Sequence, residues 1–495
     1  MMSERKKILK DFVFFSGSSY VSQMLGIVTS VLIKMYLGPT LMGVWATLQV
    51  VLRYSLWSNM GILSSSYRQI PYFLGKGDER EATRIRDVSF VFNLIMSCLV
   101  AIAIFVWSII NNAKYSEHVI FGLKMISFII VSTAIYNFYL STLRGYKKFS
   151  FLSRLTVFNS LMTMILVVVL VPSYSIYGLY FAILVSVLLS VVYAVIHTRY
   201  EIKFEIGLKR LFALLKIGIP LIFSGFVFSI LMSIDKIMIV RILGAEKLGF
   251  YTIAIMGVTY AITLPSTFGI VLFPRFQEKF GVNDNVEDIK NYLLKPILIL
   301  SYSFPTVLGV TYFVVPVLVH YILPDFVPGI ASFKILIIGC FFLSLTYISS
   351  NFLITLNKQL RVAGLTIIAV IVSILLNYYF IKVKGWGIEG AAIGTCIGYF
   401  SHFALLGFYS LSHFMKFKDM LRYLLTPFAV FLYLVAAILL LEYKINIHQV
   451  ILEGLFKTAF IIIITLPLLI WGNKDFGFFR HLKDAFNAKF RNGKA

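Results

Sequence analysis

The chain has 495 residues, 59% of them hydrophobic and 14% charged, whereas a soluble domain is about 25% charged. Its formal net charge is +23, and its three cysteines, Cys98, Cys340 and Cys396, all lie in apolar runs. The composition excludes a soluble fold. The basic residues cluster in short loops between apolar runs, so they reflect membrane orientation, not nucleic-acid binding. The cysteines supply neither a metal spacing nor a disulfide framework.

The N-terminal stretch MMSERKKILKDF is like the basic region of a signal peptide. The apolar run behind it continues to about Tyr36 without an A-x-A-like site, which predicts a retained first helix. Runs of spanning length lie near 12–36, 41–66, 88–110, 118–140, 155–172, 177–197, 217–241, 248–272, 293–319, 331–356, 362–381, 387–410, 423–441 and 451–471. Each is long enough to cross a bilayer, so an all-α polytopic membrane protein with about fourteen transmembrane helices is expected. The fifth run is short and ends at Pro172. Lys and Arg crowd the N-tail, 67–87, 144–154, 198–216, 273–295, 357–361, 411–422 and the C-tail. The opposite loops hold only Lys114, Arg241, Lys247, Lys382, Lys384 and Lys444. This bias places both termini on the cytoplasmic side of a cytoplasmic (inner) membrane. The outer loops are all short, which leaves no room for an extracytoplasmic catalytic domain.

In span one, Ser16, Ser19, Gln23, Gly26, Ser30 and Lys34 recur at steps of three or four, on one face. Small and hydroxyl residues serve helix packing, but Gln23 and Lys34 point to a wet face. In the stretch Leu41 to Ser65, Trp45, Gln49, Arg53 and Trp57 follow at steps of four. Arg53 lies about half a membrane from either end. Facing lipid there costs a guanidinium about 2.5–3.5 kcal/mol on insertion scales, so a bundle interior or wet cavity is expected. Arg pairs well with phosphate oxygens, and a Trp face suits the apolar side of a sugar ring. The alternative for Arg53 is a structural bond to carbonyls of a neighbouring helix.

The chain also repeats itself. Leu37-Gly38-Pro39-Thr40-Leu41-Met42-Gly43 precedes span two, and Leu243-Gly244-Ala245-Glu246-Lys247-Leu248-Gly249 precedes span eight, with Leu, Gly and Gly matching at an offset of 206. Two six-span units in the same orientation follow: an N-lobe at 1–197, a C-lobe at 217–410, and between them a basic, amphipathic linker at 198–216 along the interface. Residues 411–495 add helices thirteen and fourteen and a basic tail. In span seven, Asp235 and Lys236 precede Arg241. Asp235 is read either as a proton or cation site or as a structural counter-ion. Lys124, Lys334 and Lys457, in outer thirds of spans, read as snorkelling anchors. The loop Gly75-Lys76-Gly77-Asp78-Glu79 lacks the phosphate-loop pattern, and no hydrolase or paired-Cys motif occurs, so the chain does not read as an enzyme.

The hairpin LGPTLMGVWA, the segment IDKIMIVRILGAEKLGFYTIA, the loop LGKGDEREA and the fourteen spans resemble the polysaccharide-transporter flippases. These are the O-antigen-type, Wzx-like lipid-linked oligosaccharide flippases of the multidrug/oligosaccharidyl-lipid/polysaccharide exporter superfamily. The resemblance implies two MATE-like six-helix lobes around a central cavity lined by spans one, two, seven and eight. It implies that an undecaprenyl-pyrophosphate-linked oligosaccharide is moved from the inner to the outer leaflet by alternating access, for O-antigen, capsule or exopolysaccharide assembly. On that reading Arg53 and Lys34 hold phosphate, while Trp45, Gln49, Trp57 and Gln23 contact sugar or line the path. Asp235 and Lys236 face the cavity from the other lobe. The partners are the polyprenyl-pyrophosphate-linked glycan, membrane lipids, and a glycan polymerase and glycosyltransferases. No cofactor or metal is implied, and the energy source is open between proton, sodium and membrane potential. The rivals are a cation-coupled multidrug exporter on the same fold and a membrane glycan polymerase or ligase.

Overall fold

In a bilayer each backbone N–H and C=O must be satisfied inside its own segment, and the apolar runs do this as helices. The computed structural model of the chain describes residues 2–204, 207–283 and 285–476. Among these the helices are, in order, α1 (Met2–Ser55), α2 (Ile62–Gly75), α3 (Glu79–Ile110), α4 (Glu117–Gly145), α5 (Phe149–Thr198), α6 (Leu208–Leu231) and α7 (Ile234–Ile242). There follow α8 (Ala245–Asn283), α9 (Lys290–Ile322), α10 (Ile330–Thr355), α11 (Gln359–Tyr378), α12 (Gly387–Leu411), α13 (Phe417–Lys444) and α14 (Val450–Phe476). Eleven helical stretches among the described residues are long and apolar enough to cross a membrane. Two of them, α1 and α5, each hold two spans joined across a non-helical residue, Gly38 (φ 66°) and Ser175 (φ 53°). With α8, the fourteen expected crossings are accounted for. The side chain of Ser16 and the basic tail beyond Phe476 lie outside the described residues.

Three expected boundaries move. Span five does not stop at Pro172, because the chain stays helical to Ser175. Span seven is interrupted between Leu231 and Ile234, and its first half begins at Leu208, inside the stretch expected to be linker. Span two is not one helix over 41–66. It runs to Ser55, tightens into a 3-10 turn at Leu56–Asn59, and passes two left-handed residues, Met60 (φ 47°) and Gly61 (φ 80°), before helix resumes as α2. The Asn59 side chain fixes this break: its Nδ2 donates to the Leu56 carbonyl (2.8 Å), and its Oδ1 accepts from Gly61 N–H (2.8 Å).

The described residues form two compact units. One runs to Ser229 and includes Gly244–Gly249; the other comprises Ile230–Leu243 and the chain from Phe250. The contact boundary therefore falls at Ser229, whereas the sequence division puts the second lobe's start at 217. The reason is local. Ser65 Oγ donates to the Leu214 carbonyl (2.7 Å), and a Cβ on Gly218 would meet the Gly61 carbonyl at 2.6 Å. Glycine on both sides lets the two backbones touch, so the first half of span seven packs on the first unit.

Within that unit the two hairpin segments meet in a reciprocal contact. A Cβ on Gly43 would run into the Ala245 carbonyl, and one on Gly249 into the Pro39 carbonyl. At the offset of 206, Gly43 maps onto Gly249 and Pro39 onto Ala245. Residue i meets j′ while i′ meets j. A second repeated feature is the turn after α4 and after α10. Lys147 (φ 55°) and Asn357 (φ 56°) are both left-handed, and the next residue's N–H returns to the Leu143 carbonyl (2.8 Å) or the Leu353 carbonyl (2.9 Å).

The last two helices are tied to the second unit by charge. Glu442 on α13 accepts from Lys334 Nζ on α10 (2.5 Å) and Lys457 Nζ on α14 (2.6 Å), and Lys457 also donates to Glu453 (2.5 Å). Lys334 and Lys457 are thus not snorkelling anchors; both ammonium groups are ion-paired within the bundle. Glu442→Gln removes the shared anion, with an expected cost of about 1.5–3 kcal/mol, the range for hydrogen bonds to charged groups. Thermal melting in detergent measures it, and an unchanged melting temperature would show that the network does not hold these helices.

Candidate functional site

The site begins where α1 ends. Arg53 occupies the last turn of α1, so its guanidinium sits at a helix C-terminus, where the partial negative charge of unpaired carbonyls favours a cation. Its side chain is exposed, and no hydrogen bond or ion pair engages it among the described residues. One turn earlier on the same side, Gln49 is exposed as well. The two give α1 an exposed polar face with its hydrogen-bonding capacity unspent among the described residues.

The other expected site residues separate from this face. Trp45 is 4% exposed and packs against Tyr180, with ring centroids 6.1 Å apart. A four-residue step drifts about 40° per turn, so a residue two turns from Arg53 has rotated into the bundle. Trp45 is a packing residue here, not a sugar platform. Trp57 falls in the 3-10 turn, off the helical stripe. Its ring meets Phe226 edge-on at 6.2 Å and lies 2.9 Å from where a Gly225 Cβ would be. With Val51, Tyr54, Ile219, Phe223 and Phe226 it lines an apolar cavity of about 760 Å³ inside the first unit. This wall suits hydrocarbon better than a polar sugar.

Span one also turns inward. Lys34 is 3% exposed and donates to Ser30 Oγ at 2.9 Å. Gln23 is half-buried, and the outward face of this helix is apolar, with Tyr20 53%, Met24 70% and Met35 52% exposed. The expectation that Lys34 presents its charge to a phosphate is therefore corrected for this conformation: the ammonium is shut inside.

Asp235 and Lys236 are engaged by partners of their own unit. Asp235 is 2% exposed; its Oδ2 accepts from the Tyr251 hydroxyl (2.9 Å) and its Oδ1 from Lys236 N–H (2.8 Å). The Lys236 ammonium stands 3.5 Å from Oδ1 and donates to the Met232 carbonyl. The 100° between neighbouring helical residues argues against such a pair. The pair forms because α7 starts at Ile234, so both residues lie in a first turn beside the broken segment and the lysine can fold back. Tyr251 is the partner that the sequence reading missed; its place in the repeated hairpin segment was the available signal. Asp235→Asn is expected to cost about 3 kcal/mol of stability by leaving Lys236 without its counter-ion. Loss of the pH dependence of transport in a normally folded variant would instead make Asp235 a coupling residue. Among the described residues no group of three His, Cys, Asp or Glu side chains could hold a metal ion.

A family profile described as polysaccharide biosynthesis protein matches residues 72–325. No curated protein matches the chain in sequence. Among solved structures, the lipid II flippase MurJ in an inward closed conformation is 15% identical with a TM-score of 0.66, covering 94% of this chain and 99% of its own. An inward-facing multidrug resistance MATE transporter of the MOP superfamily is 15% identical with a TM-score of 0.64, covering 79% and 94%. A MOP superfamily transporter from Pyrococcus furiosus, described by the reverse polarity of its binding pocket, is 15% identical with a TM-score of 0.61, covering 82% and 95%. At these identities the likeness establishes a shared MATE/MurJ-like all-α fold.

Proposed function

Because the chain belongs to the polysaccharide biosynthesis protein family, we propose that it is an alternating-access flippase for an undecaprenyl-pyrophosphate-linked oligosaccharide. It works in the cytoplasmic membrane, with both termini cytoplasmic, and the energy source is a proton, a sodium ion or the membrane potential. The observation that carries this reading is Arg53: an exposed guanidinium on an apolar, membrane-length helix, engaged by no group among the described residues. A bidentate cation of this kind fits a pyrophosphate. The apolar cavity at Trp57 begins one turn away and offers a surface for the first isoprene units. Gln49 supplies amide donors and acceptors on the same side as Arg53. The solved relative whose described cargo is lipid II provides an example of this fold moving a lipid-linked molecule.

The rival on the same fold is a multidrug exporter. It calls for carboxylates accessible within the membrane, whereas Asp235 is buried and already bonded. Liposomes containing the purified protein and a fluorescent undecaprenyl-pyrophosphate glycan separate the two. Leaflet exchange of the glycan lipid, with no transport of a cationic dye, is the expected result. Dye transport without glycan exchange would replace this proposal with the exporter.

A further inference from the structure

At the end of the first unit where α3 begins, a second cavity of about 520 Å³ has a different lining, which includes Arg80, Arg84, Lys203 and Arg210. Its walls are fixed by ion pairs. Arg210 donates to both oxygens of Glu81 (2.5 and 2.9 Å), and the buried Arg86 donates to Asp87 (2.8 Å) and to the Glu201 carbonyl (2.6 Å). Tyr200 lies between the Arg86 guanidinium (4.9 Å) and the Lys148 ammonium (5.0 Å). The connection after α5 is thereby held against α3, and Lys203 is carried to the cavity with its N–H 3.4 Å from Asp87 Oδ2.

These pairs cancel the charges of Arg210, Glu81, Arg86 and Asp87 among themselves. Arg80 and Lys203 have no carboxylate within ion-pair distance among the described residues, and Arg84 approaches only Glu81, at 3.8 Å. Against these three cations, the lining among the described residues offers one carboxylate with no ion pair, Glu79. Next to the lining residues Lys203, Gly207 and Arg210 in sequence, large apolar side chains are exposed: Phe204 is 75%, Leu208 62% and Phe212 67% exposed. Side chains of that size beside basic residues mark a surface seated at the boundary between headgroups and acyl chains. The cavity then lies at the level of the phosphate plane.

We propose that this cavity holds the phosphodiester headgroup of an anionic phospholipid from the leaflet at this end of the protein, which is the cytoplasmic leaflet in the orientation argued above. Arg80 and Arg84 fork onto the phosphate oxygens, Lys203 adds a point charge, and Glu79 accepts from headgroup hydroxyls, which selects phosphatidylglycerol over phosphatidylcholine. The lipid would brace the connection between α5 and α6. This site is independent of the export cargo and of Arg53.

The test uses the full chain in nanodiscs of phosphatidylcholine with a minority of phosphatidylglycerol, read by native mass spectrometry. Arg80→Gln with Arg84→Gln, both exposed and neither a donor in the short wall-forming hydrogen bonds, is expected to lower retained phosphatidylglycerol about 25-fold, since each basic residue near a charged surface contributes about a factor of five. Arg84→Lys should recover part of it. Equal retention in the wild type and the double variant overturns the proposal. Displacement of the lipid by millimolar inorganic phosphate overturns it too, because the site would then be one for free phosphate. Retention that survives phosphate but not the double substitution supports it.

Discussion

Arg53→Ala is expected to stop glycan export while the protein remains in the membrane at its normal level. The side chain is exposed and bonds to nothing among the described residues, so its removal leaves no buried group unsatisfied. Its effect on stability should stay within about 0.5 kcal/mol, as for surface substitutions. The effect on transport is of another size. Losing a charge-assisted, bidentate contact to pyrophosphate costs about 1.5–3 kcal/mol, or roughly 10- to 100-fold in export. Arg53→Lys keeps a point charge but not the planar fork, so intermediate export is expected. Export of surface glycan, normalised to membrane protein, measures all three forms. A structural Arg53 would give the reverse pattern: a drop in melting temperature with Ala and little rescue by Lys. Full export by a well-expressed Arg53→Ala protein would end the anion-binding role.

The sequence carried the fold further than the site, for a physical reason. Apolar length and loop charge are sums over twenty or more residues, and such sums survive local irregularities. The fourteen crossings could therefore be read directly. A site depends on which way single side chains point, and that is decided by breaks a few residues long. The stripe through Trp45, Gln49, Arg53 and Trp57 assumed one straight helix; Leu56–Gly61 breaks it and sends Trp57 to Phe226. Asn59 followed by Gly61 was a turn signal inside an otherwise helical run. Lys34 could not be placed by periodicity, because before Gly38 the polar stripe of α1 packs inward and the exposed side there is apolar. The expected span ends at 441, although Glu442 still lies in α13 and neutralises two lysines on other helices.

The reciprocal hairpin contact gives the second large expected effect. At Gly43 and at Gly249 the obstacle to a Cβ is a backbone carbonyl, at Ala245 and at Pro39 respectively, so no rotamer change can make room. Gly43→Val and Gly249→Val should each cost more than a usual overpacked core, about 3 kcal/mol. Set wholly against the state in which the hairpins touch, that shifts its population roughly 100-fold. Export should fall by at least tenfold in either variant if the contact forms during each transport cycle. The two substitutions break one contact, so the double variant should be no worse than either single one, a non-additivity characteristic of residues in direct contact. Gly38 provides the control. Its φ of 66° makes a side chain there strained, but a Cβ would meet nothing within 4 Å. Gly38→Ala should then cost about 1 kcal/mol through backbone strain alone and leave most of the export intact. If Gly38→Ala matched Gly43→Val, or if the double variant lost the sum of both single losses, the hairpin contact would be incidental packing and not a seal that the cycle makes and breaks.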